Sequence, residues 1–173
     1  MKLYLETLVR FMRHLPKTGD VELSLLKCHL LIEEVLIQLI ERNLNHPDYL
    51  LKARLSFVQK MWIARSLNDL ERRAWVWGAV KQLNEARNAL AHGLEADEIG
   101  NKLEAFVSFV EAEQGAPDPE ELSHAFGRFQ WAVFKVFVIL SAHAQIEFSA
   151  LRIPTLLTEG EEQTVAAAPT EPS

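Results

Sequence analysis

Val76-Trp77-Gly78-Ala79-Val80-Lys81-Gln82-Leu83-Asn84-Glu85-Ala86-Arg87-Asn88-Ala89-Leu90-Ala91-His92 is the stretch that decides how this chain is read. Within it and just past it, Val76, Val80, Leu83, Arg87, Leu90 and Leu94 recur at steps of three and four, the period of a helical stripe facing a core. Every member of that stripe is apolar except Arg87. A guanidinium on a core-facing stripe is costly unless something pairs with it, and local violations of this kind concentrate at functional sites. A long helix that ends in a permanent cation, an amide and an imidazole therefore sets both the expected fold class and the candidate site.

The chain on either side reads as more helices. A first helix is expected over residues 2–14, stopping before Pro16, and Lys17-Thr18-Gly19-Asp20 reads as a loop with Asp20 as N-cap. A second, apolar on most of its circumference, is expected from Val21 to Asn43, closed by Asn45-His46-Pro47-Asp48. A third covers Ser56–Ser66. Asn68 with Glu71 three residues on has the form of a capping box for the helix Leu70–His92, and Gly93 suits its C′ position. A fifth helix is expected over Asp97–Glu113. A turn at Gln114–Asp118 then leads to a last helix over Pro119–Ala150, bent near Gly127. No strand-like alternation and no internal repeat is present. The expected fold class is all-α: an up-and-down bundle of five or six helices over residues 1–154, with residues 155–173 a disordered acidic tail rich in Gly, Pro, Thr, Ala and Glu.

Composition agrees with this. The 173 residues are 49% apolar and 24% charged, with only seven Gly and seven Pro, which suits a soluble helical domain with a real core. The single Cys28 lies in an apolar run and reads as a core filler; alone it forms neither an intramolecular disulfide nor a cysteine-based zinc site. The first helix is broken by Lys2, Glu6, Arg10 and Arg13, so it lacks the apolar core of a secretory signal. The greasy run Trp131–Leu140 is shorter than the roughly 20 residues a membrane span needs. The expected location is cytoplasmic, with no membrane partner.

A net charge of −6 disfavours a generic nucleic-acid binder, but the charge is unevenly spread. Residues 51–90 hold eight Lys/Arg against three Asp/Glu, a balance of +5, while the rest holds ten against 21, a balance of −11. A local basic surface can take phosphate while the acidic remainder keeps the chain soluble. Arg72, Arg73 and Lys81 lie in this window and are the expected RNA-binding residues.

Three residues carry the chemistry. Arg87 can grip a phosphate through two parallel hydrogen bonds. His92 can exchange protons near neutral pH, and its place in the last turn favours the imidazolium form. Asn88, four residues before His92, shares its helix face and can orient it or a substrate oxygen. Arg87 and His92 point about 140° apart on an ideal helix, too splayed for one copy to surround a phosphodiester. Two copies meeting on a two-fold axis would close that gap, so a homodimer is expected. On the second helix, His29 and Glu33 interrupt an otherwise apolar surface at i, i+4. Glu33 is the expected carboxylate partner of Arg87, with His29 a supporting residue that reads more readily as a hydrogen-bonded core histidine.

The order Arg87-Asn88-x-x-x-His92, at the end of a long helix and with an acid-bearing apolar helix upstream, resembles the R-x(4–6)-H motif of the HEPN superfamily over residues 22–94. The resemblance implies a metal-independent, cofactor-free endoribonuclease of toxin–antitoxin or defence type. The 2′-hydroxyl of RNA would attack the adjacent phosphate, leaving a 2′,3′-cyclic phosphate and a 5′-hydroxyl. It also implies His92 as general acid/base, Arg87 as the stabiliser of phosphate charge, Asn88 as a positioning group, and an antitoxin or regulatory protein as partner. Many family toxins carry a modifiable Tyr two residues past the His; this chain has Leu94 there.

The alternative is a non-catalytic helical module that binds RNA, a nucleotide or a partner protein, with Arg87 held in a buried pair by Glu33. Other signals read as architecture: Trp75 and Trp77 as core packing, His143 and Glu147 as a local helix pair, the Phe-rich last helix as core. There is no H-E-x-x-H, no Gly-rich phosphate loop and no G-x-S-x-G elbow.

Overall fold

The computed structural model describes residues 11–16, 19–68, 70–93, 95–118, 122 and 127–144. Among these every regular element is helical. Residues 11–14 form a helical turn, followed by α1 (Val21–Glu41), the short α2 (Pro47–Leu51), α3 (Phe57–Leu67), a 3₁₀ turn (Glu71–Arg73), α4 (Trp75–Ala91), α5 (Ala96–Gln114) and α6 (Arg128–His143). The all-α bundle is thus observed.

Local chemistry accounts for most boundaries. Asp20 caps α1 by accepting a 2.9 Å hydrogen bond from the Leu23 amide. Ser56 and Gln59 form a reciprocal capping box at the start of α3. Gly93 follows α4 at φ 67°, a left-handed C′ position that costs glycine nothing. Two expectations are corrected here. Pro47-Asp48 opens α2, because Pro pre-sets the first helical φ. Asn68 does not cap α4: it is the C-cap of α3, its Nδ2 donating back to Ala64 O at 2.7 Å and its Oδ1 accepting from Asn43 Nδ2 at 3.2 Å. With that side chain turned inward, the chain goes through the 3₁₀ turn and α4 starts later than expected, at Trp75, with Ala74 as an N-cap that has no side-chain acceptor.

The core is a single cluster built on α1, which packs against α3, α4 and α6, while α4 also lies along α5. Leu25, Cys28, Ile32, Val35 and Leu36 of α1 are wholly buried, and so are Val76, Ala79, Val80, Leu83 and Ala86 of α4. Cys28 is therefore the core filler expected, and burial pushes its thiol pKa up, which leaves it an inert thiol. Gly78 permits the α4–α5 approach: a Cβ there would lie 3.0 Å from Phe109 Cζ. On α6, Trp131, Phe134 and Phe137 are buried, and Phe11 meets both phenylalanine rings at 5.4 Å between centroids. The Phe-rich helix is core where described. Arg128 straps α6 to α5 through a bidentate pair with Glu111 (2.7 and 2.9 Å) and a 3.2 Å bond to Glu104.

α6 begins at Arg128, after Gly127; Pro119, Glu147 and Ala150, the first helix before residue 11, and the proposed tail at 155–173 lie outside the described residues. No helix among the described residues is long and apolar enough to cross a membrane.

Candidate functional site

α1 and α3 lie side by side, joined at His29–Phe57 and Glu33–Lys60 and, just past their C-terminal ends, at Asn43–Asn68; these pairs advance together along both helices, so the two run in the same direction. His29 of α1 meets Asn84 of α4, which places the C-terminal half of α4 beside this pair. His29, Glu33, Phe57, Lys60, Asn84, Arg87 and Asn88 therefore gather around one end of the bundle, with His92 at the tip of α4.

His29 is buried, 6% exposed. Its Nε2 lies 3.1 Å from Asn84 Oδ1, and its ring stacks on Phe57 at 4.1 Å between centroids. An amide oxygen only accepts, so this contact places the imidazole hydrogen on Nε2. Burial holds the His29 pKa below the ordinary histidine value; the Asn84 hydrogen bond and Glu33 push the other way, while Arg87 and Lys60 add to the lowering. His29 is thus a neutral, positioned ring at neutral pH, as the core reading expected.

Glu33 does not hold Arg87. Its Oε1 accepts from Lys60 Nζ at 2.7 Å, both side chains being about one-fifth exposed. Lys60 reaches it because α3 runs alongside α1 in register. Arg87 is half-buried, and its recorded polar contact is to its neighbour: Nη1 lies 3.5 Å from Asn88 Oδ1. No carboxylate pairs with Arg87 among the described residues. The stripe that predicted a core position holds through Val76, Val80 and Leu83, but at Arg87 the helix has reached the margin of the core, and Leu90 is only half-buried as well. Leu94 lies outside the described residues.

His92 is exposed. It is the C-cap of α4, its amide bonded to Asn88 O at 3.0 Å. Asn88, one turn earlier, is half-buried.

The basic residues assigned to RNA are not gathered with the motif. Arg72 and Arg73 are exposed on the 3₁₀ turn before α4, which at 1.5 Å per residue puts them about 25 Å from His92. Lys81 is exposed on the outer face of α4 and pairs with Glu85 at 3.6 Å. Trp77 is buried and Trp75 half-buried, as the core reading held. His143 is exposed at the end of α6. Among the described residues no group of three or more His, Cys, Asp or Glu is placed to hold a metal.

Sequence reasoning missed Asn84, Lys60 and Phe57. Asn84 carried a signal: a polar residue three before Arg87 and four before Asn88 continues their polar face one turn inward. Lys60 and Phe57 carried none, since their roles depend on the parallel register of α3 against α1. Comparison of the chain with models of known families, with curated proteins and with solved structures finds no match.

Proposed function

We propose that the protein is an endoribonuclease that cleaves single-stranded RNA with Arg87, Asn88 and His92, in the manner its resemblance to the HEPN superfamily implies. The observation that carries this reading is that Arg87 has no carboxylate partner among the described residues while the exposed His92 lies on the same terminal turns. A guanidinium left without an internal anion at the margin of the core is available to an external one, and phosphate fits its paired donors. The Glu33–Lys60 pair also removes the internal use for Arg87 on which the non-catalytic alternative relied.

The reaction balances with two imidazoles. One His92 takes the proton of the ribose 2′-hydroxyl as O2′ attacks phosphorus; the bond from phosphorus to the 5′-oxygen breaks, and that oxygen receives a proton from a second imidazole. Arg87 stabilises the charge that develops on the phosphate oxygens. Asn88, in contact with the guanidinium, sets its direction. His29–Asn84 fixes the bundle end on which these groups stand. The second His92 comes from a second copy of the chain. Leu23, Leu26 and Leu30, at i, i+3 and i+7 on α1, are exposed (Leu30 by 60%) in the same half of α1 as His29, an apolar stripe suited to self-association beside the site. A toxin or defence role in the cytoplasm, restrained by an antitoxin, belongs to the same proposal.

The test is incubation of the purified protein with single-stranded RNA in excess chelator, with product ends analysed. The proposal expects 2′,3′-cyclic phosphate and 5′-hydroxyl ends, and no cut at a position whose 2′-hydroxyl is replaced by hydrogen. Intact RNA at all protein concentrations, or cleavage of the deoxy position, overturns it.

A further inference from the structure

Arg54 is the one residue other than glycine, among the described residues, whose backbone is left-handed (φ 49°). A Cβ crowds that conformation, which glycine adopts at no steric cost. An arginine there is held against its preference, and strain of this kind gathers at binding and catalytic sites. The chain that follows is firmly fixed. Ser56 caps α3, its amide bonded to Gln59 Oε1 at 2.9 Å, and Phe57 stacks on the buried His29. The left-handed turn at Arg54 thus sets the path by which the chain enters α3.

The fold brings Arg54 to the end of the bundle that holds the Arg87 motif. The end of α3 and the start of α4 lie together, with Arg65 and Leu67 across one cleft from Ala74 and Trp77. Phe57 at the start of α3 and Asn84 in the second half of α4 both meet His29. α3 and α4 are therefore antiparallel. Seen from His29, Arg54 comes three residues before Phe57 and Arg87 three residues after Asn84, both toward the same end. Asn88, one turn after Asn84, stays on the face of α4 that Asn84 presents to His29. Arg54 is exposed, and no carboxylate pairs with it among the described residues. The entry segment Lys52-Ala53-Arg54-Leu55-Ser56 carries two cations and no acid. Two guanidinium groups without an internal anion, Arg54 and Arg87, thus stand at one end on separate elements, a charge pattern complementary to successive phosphates of a strand.

We propose that Arg54 is a substrate-binding residue, gripping a phosphate of the RNA strand next to the one that Arg87 stabilises. The proposal rests on the ribonuclease reading and extends it from one phosphate to two. The phosphate at Arg54 does not react, so its binding energy is the same in ground and transition states and shows in KM, not in kcat. The test compares the full-length protein with Arg54→Gln, Arg54→Lys and Arg54→Gly. Arg73→Gln, which removes an exposed cation at the other end of α4, is the control. Cleavage of single-stranded RNA in chelator gives KM and kcat. Fluorescence anisotropy of a dye-labelled 2′-deoxy single strand, which the proposed reaction cannot cut, gives affinity, and urea unfolding gives stability. Arg54→Gln is expected to raise KM and weaken the deoxy strand about tenfold, the scale of one charge-assisted hydrogen bond, with kcat unchanged. Its slope of log affinity against log salt should fall by about 0.7, the value for one phosphate contact on a single strand. Arg54→Lys keeps that slope and recovers part of the affinity, because lysine retains the charge and lacks the paired donors. Arg54→Gly loses binding as Arg54→Gln does, yet its urea midpoint rises, because glycine takes the left-handed turn freely. Unchanged KM, affinity and salt slope in Arg54→Gln, an equal loss in Arg73→Gln, or no binding of the deoxy strand by the unaltered protein overturns the proposal. RNA cleavage by the unaltered protein alongside such a result leaves the ribonuclease reading intact. Loss of deoxy-strand affinity in Arg54→Gln alone, in a protein that cuts no RNA, sinks that reading and keeps Arg54 as a phosphate-binding residue.

Discussion

The two halves of α4 follow one helical period and meet opposite fates. In the N-terminal half, Val76, Val80 and Leu83 project inward and are wholly buried between α1 and α5. In the C-terminal half the corresponding positions pass to Arg87, half-buried, with the buried Asn84 beside it holding His29. The first half supplies stability through excluded water and close packing. The second half forgoes part of that and keeps polar groups at the edge of the core. The difference separates residues sealed in the core from residues at its margin, which the proposed reaction would use, and mutations can probe it from both sides.

The largest stability effect belongs to the sealed half. Leu83→Ala should lower the unfolding free energy by about 2–5 kcal/mol, measured by urea denaturation, with cleavage per folded molecule unchanged. His92→Ala should do the reverse. It should cut the RNA-cleavage rate about 10²–10⁴-fold, the usual contribution of a general acid or base, and shift stability by under about 1 kcal/mol, as expected for an exposed helix-end residue. If the two variants show the same profile, the contrast within α4 is lost.

Asn84→Ala comes next. It leaves the buried His29 Nε2 without its acceptor and should cost about 1–3 kcal/mol. Combined with His29→Ala, the losses should fall short of their sum, because one contact is removed twice; strict additivity would show that the pair does not interact.

The same histidine makes stability depend on pH. Burial lowers the His29 pKa in the folded state, so the unfolded chain takes up a proton first as pH falls. Stability is therefore full above the unfolded histidine value of about 6.5 and declines as pH falls below it, by at most about 1.4 kcal/mol per pH unit for one such group. His14, whose pKa burial and Lys27 also lower, acts with the same sign. His29→Gln should flatten the dependence measured between pH 7.5 and 5.5; an unchanged slope would assign it to other groups. The smallest effect is expected at the solvent-exposed strap between α5 and α6, where Arg128→Ala should cost under about 1 kcal/mol.

Much of the fold was legible because apolar period and end signals agree. Asp20, Ser56 and Gly93 mark helix ends where they stand, and the α4 stripe named Val76, Val80 and Leu83 as core. The start of α4 was misread because Asn68 has two uses, capping forward or bonding back, and the backward use depends on Asn43, 25 residues away. The candidate site was legible along α4 and illegible across helices. Arg87, Asn88 and His92 sit at one end of the molecule, as local spacing required. Glu33 was given to Arg87 because both are odd charges on apolar helices; the parallel run of α3 delivers Lys60 to it instead, and register between helices leaves no local trace. Arg72 and Arg73 joined the motif only as members of one charge window, and a rigid helix keeps them a full helix length away.

The most direct test of the contrast is Arg87→Ala, with unfolding free energy and RNA-cleavage rate measured on the same preparation. An arginine facing its substrate predicts a cleavage rate reduced at least about a hundredfold, as for the loss of a phosphate-stabilising donor, and an unfolding free energy within about 1 kcal/mol of the original. Loss of about 3–5 kcal/mol, the cost of breaking a buried pair, with cleavage per folded molecule retained, would contradict it and return Arg87 to the architecture of the bundle.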